Sequence, residues 1–243
     1  MWCLLLGKIK LKTIATICAR GGSVGVPGKN IKMLRGLPLI AHTILQAQAC
    51  KDIDRVFVST DDEAIAEVAR SYGATVPFLR PAHLATSSAA KVPVISHLAD
   101  WVAEHVGSFD TIVDLDPTSP LRIAADIEAC MRLLDTDTDV VITAFESEKN
   151  PYFNMVEQKE DGNIGLVCPS LTGVVARQMA PAVYSMNASI YVWHRSTLNK
   201  GLWNGRVKMH VMPRERSIDI DSPIDFKIVD MLLAERQQED GHE

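Results

Sequence analysis

The feature that most constrains the fold is a glycine-rich loop that directly follows a short apolar segment near the start of the chain. The apolar segment, Thr13-Ile14-Ala15-Thr16-Ile17, is rich in β-branched residues and predicts a strand. The loop is Cys18-Ala19-Arg20-Gly21-Gly22-Ser23-Val24-Gly25-Val26-Pro27-Gly28-Lys29-Asn30. Glycines let a backbone approach a ligand closely, and consecutive N–H groups in such a turn bind anions. Because Arg20 and Lys29 flank the glycines, the loop is typical of a polyphosphate-binding site at the end of a strand.

The loop does not match the two most familiar phosphate-binding motifs. A P-loop would need glycine at position 23 and serine or threonine at position 30, where this chain has Ser23 and Asn30. The dinucleotide-binding pattern G-x-G-x-x-G is absent as well. From turn composition alone, a flexible surface loop remains an alternative to a ligand site.

Composition and charge restrict the class of protein. The chain has 243 residues, of which 47% are hydrophobic and 23% are charged, as expected for one globular domain or a domain with a small insertion. The net charge is −5 and no long basic run occurs, so nucleic acid is not an expected partner. An acidic protein that binds a polyanion must concentrate positive charge locally, as residues 20–30 do.

Cysteine usage and the N-terminal segment both favour the cytoplasm. Five cysteines are scattered without metal-ligand spacing, which favours a reducing compartment. The run Met1-Trp2-Cys3-Leu4-Leu5-Leu6 is too short for a signal peptide, and its lysines follow it instead of preceding it. No segment is long and apolar enough for a membrane span, so no membrane association is expected.

Short apolar runs alternate with segments of helical periodicity through the first part of the chain. This βαβα order predicts an α/β fold with a doubly wound, mainly parallel sheet that helices cover on both faces. Since ligands bind at the carboxyl ends of strands in such sheets, the loops after residues 18, 60, 79 and 116 should share one crevice. The predicted strands are 13–18, 55–60, 75–79, 111–116 and 139–145, and the predicted helices are 37–50, 62–72, 91–106 and 124–135.

The alternation breaks after the last of these strands. Residues 152–158 and 163–168 are expected to form a hairpin around Asp161-Gly162-Asn163. We interpret residues 147–185 as an insertion within a single domain that spans residues 1–243. Beyond the insertion, the parallel pattern is expected to resume with strands 188–194 and 207–212, followed by helix 223–236 and a frayed tail.

Two aspartates near the C-terminus, Asp219 and Asp221, are a candidate metal site. In an extended segment, side chains two residues apart point to the same face, whereas Ile220 between them points to the core. Two converging carboxylates suit Mg²⁺, which also takes phosphate oxygens and water as ligands. From spacing alone, a solvated strand edge that leads into the helix starting at Ser222-Pro223 is an equal alternative. Asp225 is expected to offset the helix dipole instead of binding a metal.

The glycine loop resembles the opening of the CMP-sialic acid synthetases (acylneuraminate cytidylyltransferases), and further matches follow in the same order. The resemblance extends over residues 13–235. Residues 150–154 and 115–117 are most similar to the bacterial branch that activates legionaminic acid. The other matching blocks are Val58-Ser59-Thr60-Asp61, Leu79-Arg80-Pro81-Ala82-His83-Leu84-Ala85, Leu115-Asp116-Pro117-Thr118-Ser119-Pro120-Leu121-Arg122, Ala176-Arg177-Gln178, Met186-Asn187-Ala188-Ser189-Ile190-Tyr191 and Ser217-Ile218-Asp219-Ile220-Asp221.

The resemblance implies a Rossmann-like fold of nucleotidyltransferase type and a role for individual residues. It implies that the two aspartates hold Mg²⁺ as the cofactor. The implied catalytic residues are Arg20, Lys29, Asp219 and Asp221. The implied nucleotide-binding residues are Ala19, Arg20, Gly21, Gly22, Ser23, Lys29, Asn30, Arg80 and Lys91. The implied sugar-binding residues are Asp116, Thr118, Ser119, Arg177, Gln178, Asn187 and Tyr191.

At several positions the chain departs from the pattern of the sialic acid enzymes. Asp116 stands where those enzymes commonly have a glutamine that contacts the sugar, which argues against assuming N-acetylneuraminate as the substrate. Phe153 and Ser185 stand where relatives have a lysine and an arginine, so the site is less cationic. The segment Thr86-Ser87-Ser88 also lacks an acid that relatives often carry.

The implied reaction joins CTP and a nine-carbon 3-deoxy-2-keto acid to give a CMP-sugar and pyrophosphate. Family members commonly form homodimers through the region that matches residues 147–185, so a homodimer is expected. Two alternatives stay open. One is a CMP-Kdo synthetase, which is disfavoured because those enzymes carry Gln-Gly-Asp-Glu-Pro where this chain has Leu115-Asp116-Pro117-Thr118-Ser119. The other is a non-catalytic nucleotide-binding regulator on the same fold.

Overall fold

The computed structural model describes residues 10–23, 25–169 and 176–240, and all structural statements concern these residues. None of the helices within these ranges is long and apolar enough to cross a membrane. The strands are β1 Thr13–Cys18, β2 Met33–Leu34, β3 Leu37–Pro38, β4 Arg55–Ser59, β5 Thr111–Leu115, β6 Val140–Glu146, β7 Val156–Gln158, β8 Ile164–Leu166, β9 Tyr184–His194 and β10 Val207–Val211. The α-helices are α1 Leu39–Ala49, α2 Glu63–Ser71, α3 Lys91–His105, α4 Ala124–Leu133 and α5 Pro223–Asp240.

Six strands form the central sheet, in the order β10-β6-β9-β5-β1-β4. β1 pairs in parallel with β4 and β5, and β10 pairs in parallel with β6. The predicted α/β fold with a mainly parallel sheet is therefore confirmed. The expectation that residues 188–194 continue the parallel pattern is wrong, because β9 is antiparallel to both β5 and β6. Glu146 at the end of β6 pairs with Tyr184 at the start of β9, so the chain returns beside β6 without the crossover that a parallel strand needs.

Two predicted elements differ from the structure for local reasons. The predicted strand 75–79 forms only isolated bridges, from Thr75 to Phe57 and from Leu79 to Thr60. Pro77 interrupts this segment, and proline lacks the N–H that a continuous ladder requires. The helix predicted over 37–50 begins later, because β2 and β3 form a small hairpin whose turn, residues 35–36, has positive φ angles of 49° and 83°.

Side chains on the two faces of the sheet contribute to separate parts of the core, because successive strand residues point to opposite faces. On one face, Ile17 and Val58 pack with Ile44 of α1 and with residues of α2 and α4. On the other face, Ile14 packs with residues of α3. A third cluster places fully buried Ile220 with residues of α5 and the β2–β3 hairpin. The segment that carries the two candidate metal ligands is thus anchored in the core.

Candidate functional site

A cavity of about 350 Å³ opens beside the carboxyl ends of β1, β4 and β5. Its wall combines the glycine loop, the segment 80–89 that precedes α3, the start of α3, the loop after β5 and the segment before α5. These parts are distant in sequence and meet because parallel strands end at one edge of the sheet. The predicted site residues that line the cavity are Arg20, Ser23, Lys29, Asn30, Arg80, Lys91, Asp116, Thr118, Asp219 and Asp221.

The glycine loop brings its two cations to this cavity. Gly28 has a left-handed backbone with a φ of 63°, and the 3₁₀ turn Lys29–Ile31 follows it directly. The Asn30 side-chain amide donates to the Arg20 carbonyl oxygen at 2.9 Å and so ties the two ends of the loop together. The Arg20 guanidinium donates to the Thr86 carbonyl oxygen at 3.3 Å on the opposite wall. This arrangement suits a polyanion that enters between the walls.

Lys29 joins the glycine loop to the segment that carries the candidate metal ligands. Its Nζ donates to the Ile220 carbonyl oxygen at 2.6 Å and to Asp221 Oδ1 at 3.4 Å. From the other side, the Ile220 N–H donates to the Thr118 carbonyl oxygen at 3.0 Å. The loop after β5 and the glycine loop therefore hold this segment between them.

Gly25 marks a direct backbone contact between the glycine loop and the same segment. A methyl group at Gly25 would lie 1.9 Å from the Asp221 carbonyl oxygen, so glycine is required there. A methyl group at Gly22 would meet no described atom within 4 Å. Gly21 lies against the next loop, because its N–H donates to Asp61 Oδ1 at 3.0 Å. Gly21 and Gly22 belong to the loop without lining the cavity.

We expect Gly25→Ala to lower the free energy of unfolding by about 1–3 kcal/mol, because the added methyl group forces two backbone segments apart. Gly22→Ala is the matched control and should leave the melting temperature unchanged, since its methyl group meets open space. Thermal unfolding of both variants measures the difference. Equal melting temperatures would show that the contact at Gly25 is not needed for stability.

Asp219 and Asp221 present carboxylates suited to a cation. Asp219 Oδ1 is buried and has no hydrogen-bond partner within the described residues. Burial and the nearby Asp116 charge raise the pKa of Asp219 to about 6. Asp221 is more open, with a side chain that is 79% exposed. An unpaired buried carboxylate oxygen beside a second carboxylate fits a bound divalent cation.

The described ranges contain no cluster of three His, Cys, Asp or Glu side chains that could hold a metal on their own. A cation at the aspartate pair would therefore complete its shell with ligand phosphate oxygens and water, as Mg²⁺ does. Asp225 is engaged elsewhere, since Oδ2 accepts from the Ser222 N–H and hydroxyl group at 2.7 Å each. It caps the start of α5, in the first turn of the helix whose dipole it is expected to offset.

Arg80 is buried at the end of β4 and is fixed there by backbone and side-chain contacts. Its Nε donates to Ser59 Oγ at 3.0 Å, and its Nη2 donates to the Ser59 carbonyl oxygen. Only 7% of the residue is exposed, yet it lines the cavity. Ala19 and Ser119 are 1% exposed and lie behind the cavity wall.

Asn187 and Tyr191 of β9 lie outside the cavity lining. Asn187 is buried, and its side-chain amide donates to Ser217 Oγ at 2.9 Å. Tyr191 is 4% exposed and stacks on Trp193 with 5.6 Å between the ring centroids. In these positions Asn187 supports the start of the segment 217–221, and Tyr191 lies behind the cavity.

Gln178 of the predicted sugar-binding pair 177–178 lies apart from the main cavity. Gln178 lines a second cavity of about 320 Å³ together with Asn150 and residues 180–183. This second cavity is at the base of the insertion, near the start of β9. Residues 177–179 form a 3₁₀ turn, and the side chain of Arg177 lies outside the described part of the chain.

Asp114 is a site residue that the sequence analysis missed. It is fully buried in β5, and its carboxylate accepts from Thr16 Oγ1 at 2.8 Å and from Lys91 Nζ at 3.0 Å. The signal was an acidic residue in the centre of an otherwise apolar strand, Thr111-Ile112-Val113-Asp114-Leu115. A buried charge of this kind needs a partner, and here the partner is a cavity residue.

Comparisons with known proteins agree on one family. The cytidylyltransferase family model matches residues 14–200. A Campylobacter coli protein named post-translational flagellin modification protein B is 41% identical over 228 residues, which cover 92% of this chain and 95% of that protein. A CMP-N,N'-diacetyllegionaminic acid synthase from Campylobacter jejuni is 42% identical over 225 residues, which cover 91% of this chain and 94% of that protein.

One solved structure shows the same architecture. CMP:2-keto-3-deoxy-manno-octonic acid synthetase complexed with CTP aligns with a TM-score of 0.66 over 93% of this chain and 99% of that chain. Its sequence is 17% identical, so this likeness concerns the fold alone. The family match, the extent of the relatives' identity and the fold together show that the chain belongs to the cytidylyltransferase family of nucleotidyltransferases.

Proposed function

We propose that this chain transfers CMP from CTP to a 3-deoxy-2-keto nonulosonic acid of the legionaminic or sialic acid type and releases pyrophosphate. The observation that carries the proposal is the convergence of Arg20, Lys29, Asp219 and Asp221 on one cavity. Two cations suit a triphosphate, and two carboxylates suit the metal ion that accompanies it. The name of the C. jejuni relative supports this class of sugar.

In the proposed reaction, the anomeric hydroxyl oxygen of the sugar forms a bond to the α-phosphorus as the bond to the β-phosphate oxygen breaks. Pyrophosphate leaves and the hydroxyl proton is lost, without a covalent enzyme intermediate. Arg20 and Lys29 bind the phosphates and stabilise the charge that develops on the leaving group. Alignment of the two substrates in one cavity supplies several kcal/mol of the rate enhancement, by the usual order of magnitude for such reactions.

Asp219 and Asp221 are the residues that would hold Mg²⁺ in this proposal. The ion supplies charge neutralisation on the triphosphate and lowers the pKa of groups bound to it. Lys29 already contacts Asp221 and the Ile220 carbonyl oxygen, so it keeps the segment aligned with the glycine loop. Asp116 and Thr118, which line the same cavity, would face the sugar.

The alternatives are less well supported. The CMP-Kdo synthetase structure shares the fold at 17% identity, whereas the two Campylobacter relatives share 41% and 42% across nearly the whole chain. A non-catalytic regulator would not need a buried, unpaired Asp219 oxygen beside Asp221. These observations favour a nonulosonic acid enzyme.

The nucleotide preference tests the proposal. We expect pyrophosphate release with CTP and legionaminic or N-acetylneuraminic acid, and much slower release with ATP, GTP or UTP at the same sugar concentration. A coupled pyrophosphate assay measures each rate, with the CTP reaction lacking sugar as the control. Comparable rates with ATP or GTP would refute the cytidylyl assignment, and release with Kdo alone would favour the first alternative.

We also propose that residues 147–185 form an arm through which the single domain of residues 1–243 makes a homodimer. Within this arm, Met155, Val156 and Ile164 are 41%, 61% and 63% exposed around the β7–β8 hairpin. An isolated two-stranded hairpin is only marginally stable in water, so packing on a second copy would stabilise it. We further propose a cytoplasmic location, with which the four unpaired cysteines in the described ranges agree.

Light scattering, which measures molecular mass in solution, tests the proposed homodimer. We expect the mass of a dimer at micromolar concentration, and we expect Val156→Asp together with Ile164→Asp to shift it toward the monomer because two charges would enter an apolar contact. Val211→Asp, at an exposed position on β10, is the control for a surface charge. A parent protein that is monomeric and fully active would contradict the proposal.

A further inference from the structure

Lys91 lines the cavity but its ammonium group is committed to two carboxylates. Nζ donates to Asp114 Oδ2 at 3.0 Å and to Asp116 Oδ2 at 3.2 Å. It also lies 4.8 Å from the ring centroid of Tyr191. Asp114 is fully buried, and a buried carboxylate requires a cation beside it. Lys91 is therefore not free to serve mainly as a phosphate-binding cation.

Asp116 is held in one orientation by this lysine and by its own loop. Its Oδ1 accepts from Thr118 Oγ1 at 2.8 Å and from the Thr118 N–H at 3.3 Å. Its Oδ2 accepts from Lys91, and the side chain is 24% exposed to the cavity. Burial alone would raise the pKa of Asp116, but Lys91 and the Thr118 hydrogen bonds outweigh burial and lower it. At neutral pH the group is thus a fixed, ionised carboxylate.

The charges in this cluster determine what can approach it. Asp114 and Asp116 lie beside two cations, Lys91 and the buried guanidinium of Arg122, so their charges are balanced within the cluster. An ionised carboxylate only accepts hydrogen bonds, whereas a glutamine at the same place would both accept and donate. A ligand group that touches Asp116 must therefore bring an O–H or N–H donor.

We propose that Lys91 is a positioning residue that fixes Asp116 as an acceptor-only carboxylate, and that Asp116 selects a hydroxyl or amide donor on the acceptor sugar. This inference rests on the proposed function for the identity of the sugar. The contact between Lys91 and Asp116 does not depend on that function and is tested separately.

The first test uses the ligand-free protein. The Asp116 carboxyl group is titrated by ¹³C NMR in the parent and in Lys91→Met. The other charged or polar groups near it are Asp114, Arg122, Thr118 and Asp219. We expect the pKa of Asp116 to rise by about one pH unit or more when the lysine is removed. Because Lys91→Met removes the ammonium group that donates to buried Asp114, the double variant Lys91→Met/Asp114→Asn provides a version without that carboxylate charge. An unchanged Asp116 pKa in both would overturn the positioning role, whether or not the parent turns over CTP.

The second test separates sugar from nucleotide. In Lys91→Met/Asp114→Asn we expect KM for the sugar to rise about tenfold or more, as for the loss of a charged hydrogen bond. The Kd for CTP without sugar should stay within about threefold of the parent value. Lys91→Arg should restore part of the sugar KM, and Lys51→Met, at an exposed position, controls for the loss of one lysine. A CTP Kd that rises tenfold with an unchanged sugar KM would assign Lys91 to the nucleotide and overturn the inference.

Asp116→Gln tests the selection itself. We expect it to lose activity on the preferred sugar and to gain relative activity on analogues in which the contacting donor is replaced by an acceptor. The measurement is kcat/KM across a panel of sugars that differ at single hydroxyl or amide positions. An unchanged order of preference across the panel would overturn the selective role of Asp116. If the parent releases no pyrophosphate with any sugar in the panel, the proposed function fails, and the NMR titration still decides the role of Lys91.

Discussion

Replacement of Asp221 or Asp219 with asparagine is expected to lower kcat by about 10²–10³-fold, because each change removes one preorganised charge from the proposed metal site. The fold should survive both changes. Burial already disfavours the charged form of Asp219, whose pKa is raised to about 6, and Asp221 is largely exposed. Steady-state pyrophosphate release and thermal unfolding of the same preparations measure the two effects.

The control for these variants is Asp230→Asn. Asp230 is a half-exposed aspartate on α5 that lies 4.0 Å from Arg35, away from the cavity. Its replacement should leave kcat unchanged. Raised Mg²⁺ or Mn²⁺ should partly restore the Asp221 variant, and EDTA should inhibit the parent. Near-normal turnover in both variants, together with a parent that EDTA does not affect, would show that the two aspartates only form the segment leading into α5.

Asp126→Asn is expected to lower the free energy of unfolding at pH 7 by about 2–3 kcal/mol, because it breaks a bidentate, nearly buried ion pair. Arg216 donates to both Asp126 oxygens, at 3.0 and 2.8 Å, and the Ile123 N–H donates to Oδ2 at 3.1 Å. For a chain of this length the melting temperature should fall by about 5–10 °C. The pair also anchors the chain just before Ser217 and the two site aspartates.

The same pair gives a pH dependence with a definite sign. Burial would raise the pKa of Asp126, but the hydrogen bonds from Arg216 and Ile123 outweigh it and lower the pKa from its ordinary value of 3.8. A group whose pKa is lower in the folded state stabilises the fold above its unfolded pKa and loses that contribution as the pH falls. The difference in the free energy of unfolding between parent and variant should therefore be largest at pH 6–7 and should shrink below pH 3.8.

The control for Asp126 is Asp137→Asn. Asp137 pairs with Arg206 at 2.9 Å, but the two side chains are 81% and 63% exposed, so its loss should change stability by less than about 0.5 kcal/mol. Equal melting temperatures for the Asp126 variant and the parent would contradict the prediction. A difference in the free energy of unfolding between parent and variant that grows as the pH falls would also contradict it, because the Asp126 pKa shift would then have the opposite sign.

Local signals in the sequence predicted the strand-and-loop units that build the site. β1 and the glycine loop follow from β-branched residues, glycines and two cations in sequence order. The alternation of an extended segment predicted that Asp219 and Asp221 share one face. In the structure Ile220 is fully buried and the two aspartates line the cavity. Such signals involve neighbouring residues only, so they can be identified without knowledge of the partner elements.

The features that were missed depend on contacts distant in sequence. The direction of β9 is decided by where the insertion returns the chain, which no pattern within residues 188–194 records. The partner of Asp114 is a lysine on a helix 23 residues earlier in the chain. The resemblance implies a sugar-binding role for Asn187, and its amide donates to Ser217, a contact between residues 30 positions apart that forms only after folding.

The most direct test of the proposed function is identification of the product. CTP, Mg²⁺ and a legionaminic or sialic acid are incubated with the protein, and ³¹P NMR follows the phosphorus species, with mass spectrometry of the sugar product. The account predicts equal appearance of pyrophosphate and of a single phosphodiester whose mass is that of the CMP-sugar. Release of pyrophosphate with free CMP at the same rate with and without sugar, or no consumption of CTP with any nonulosonic acid, would contradict it.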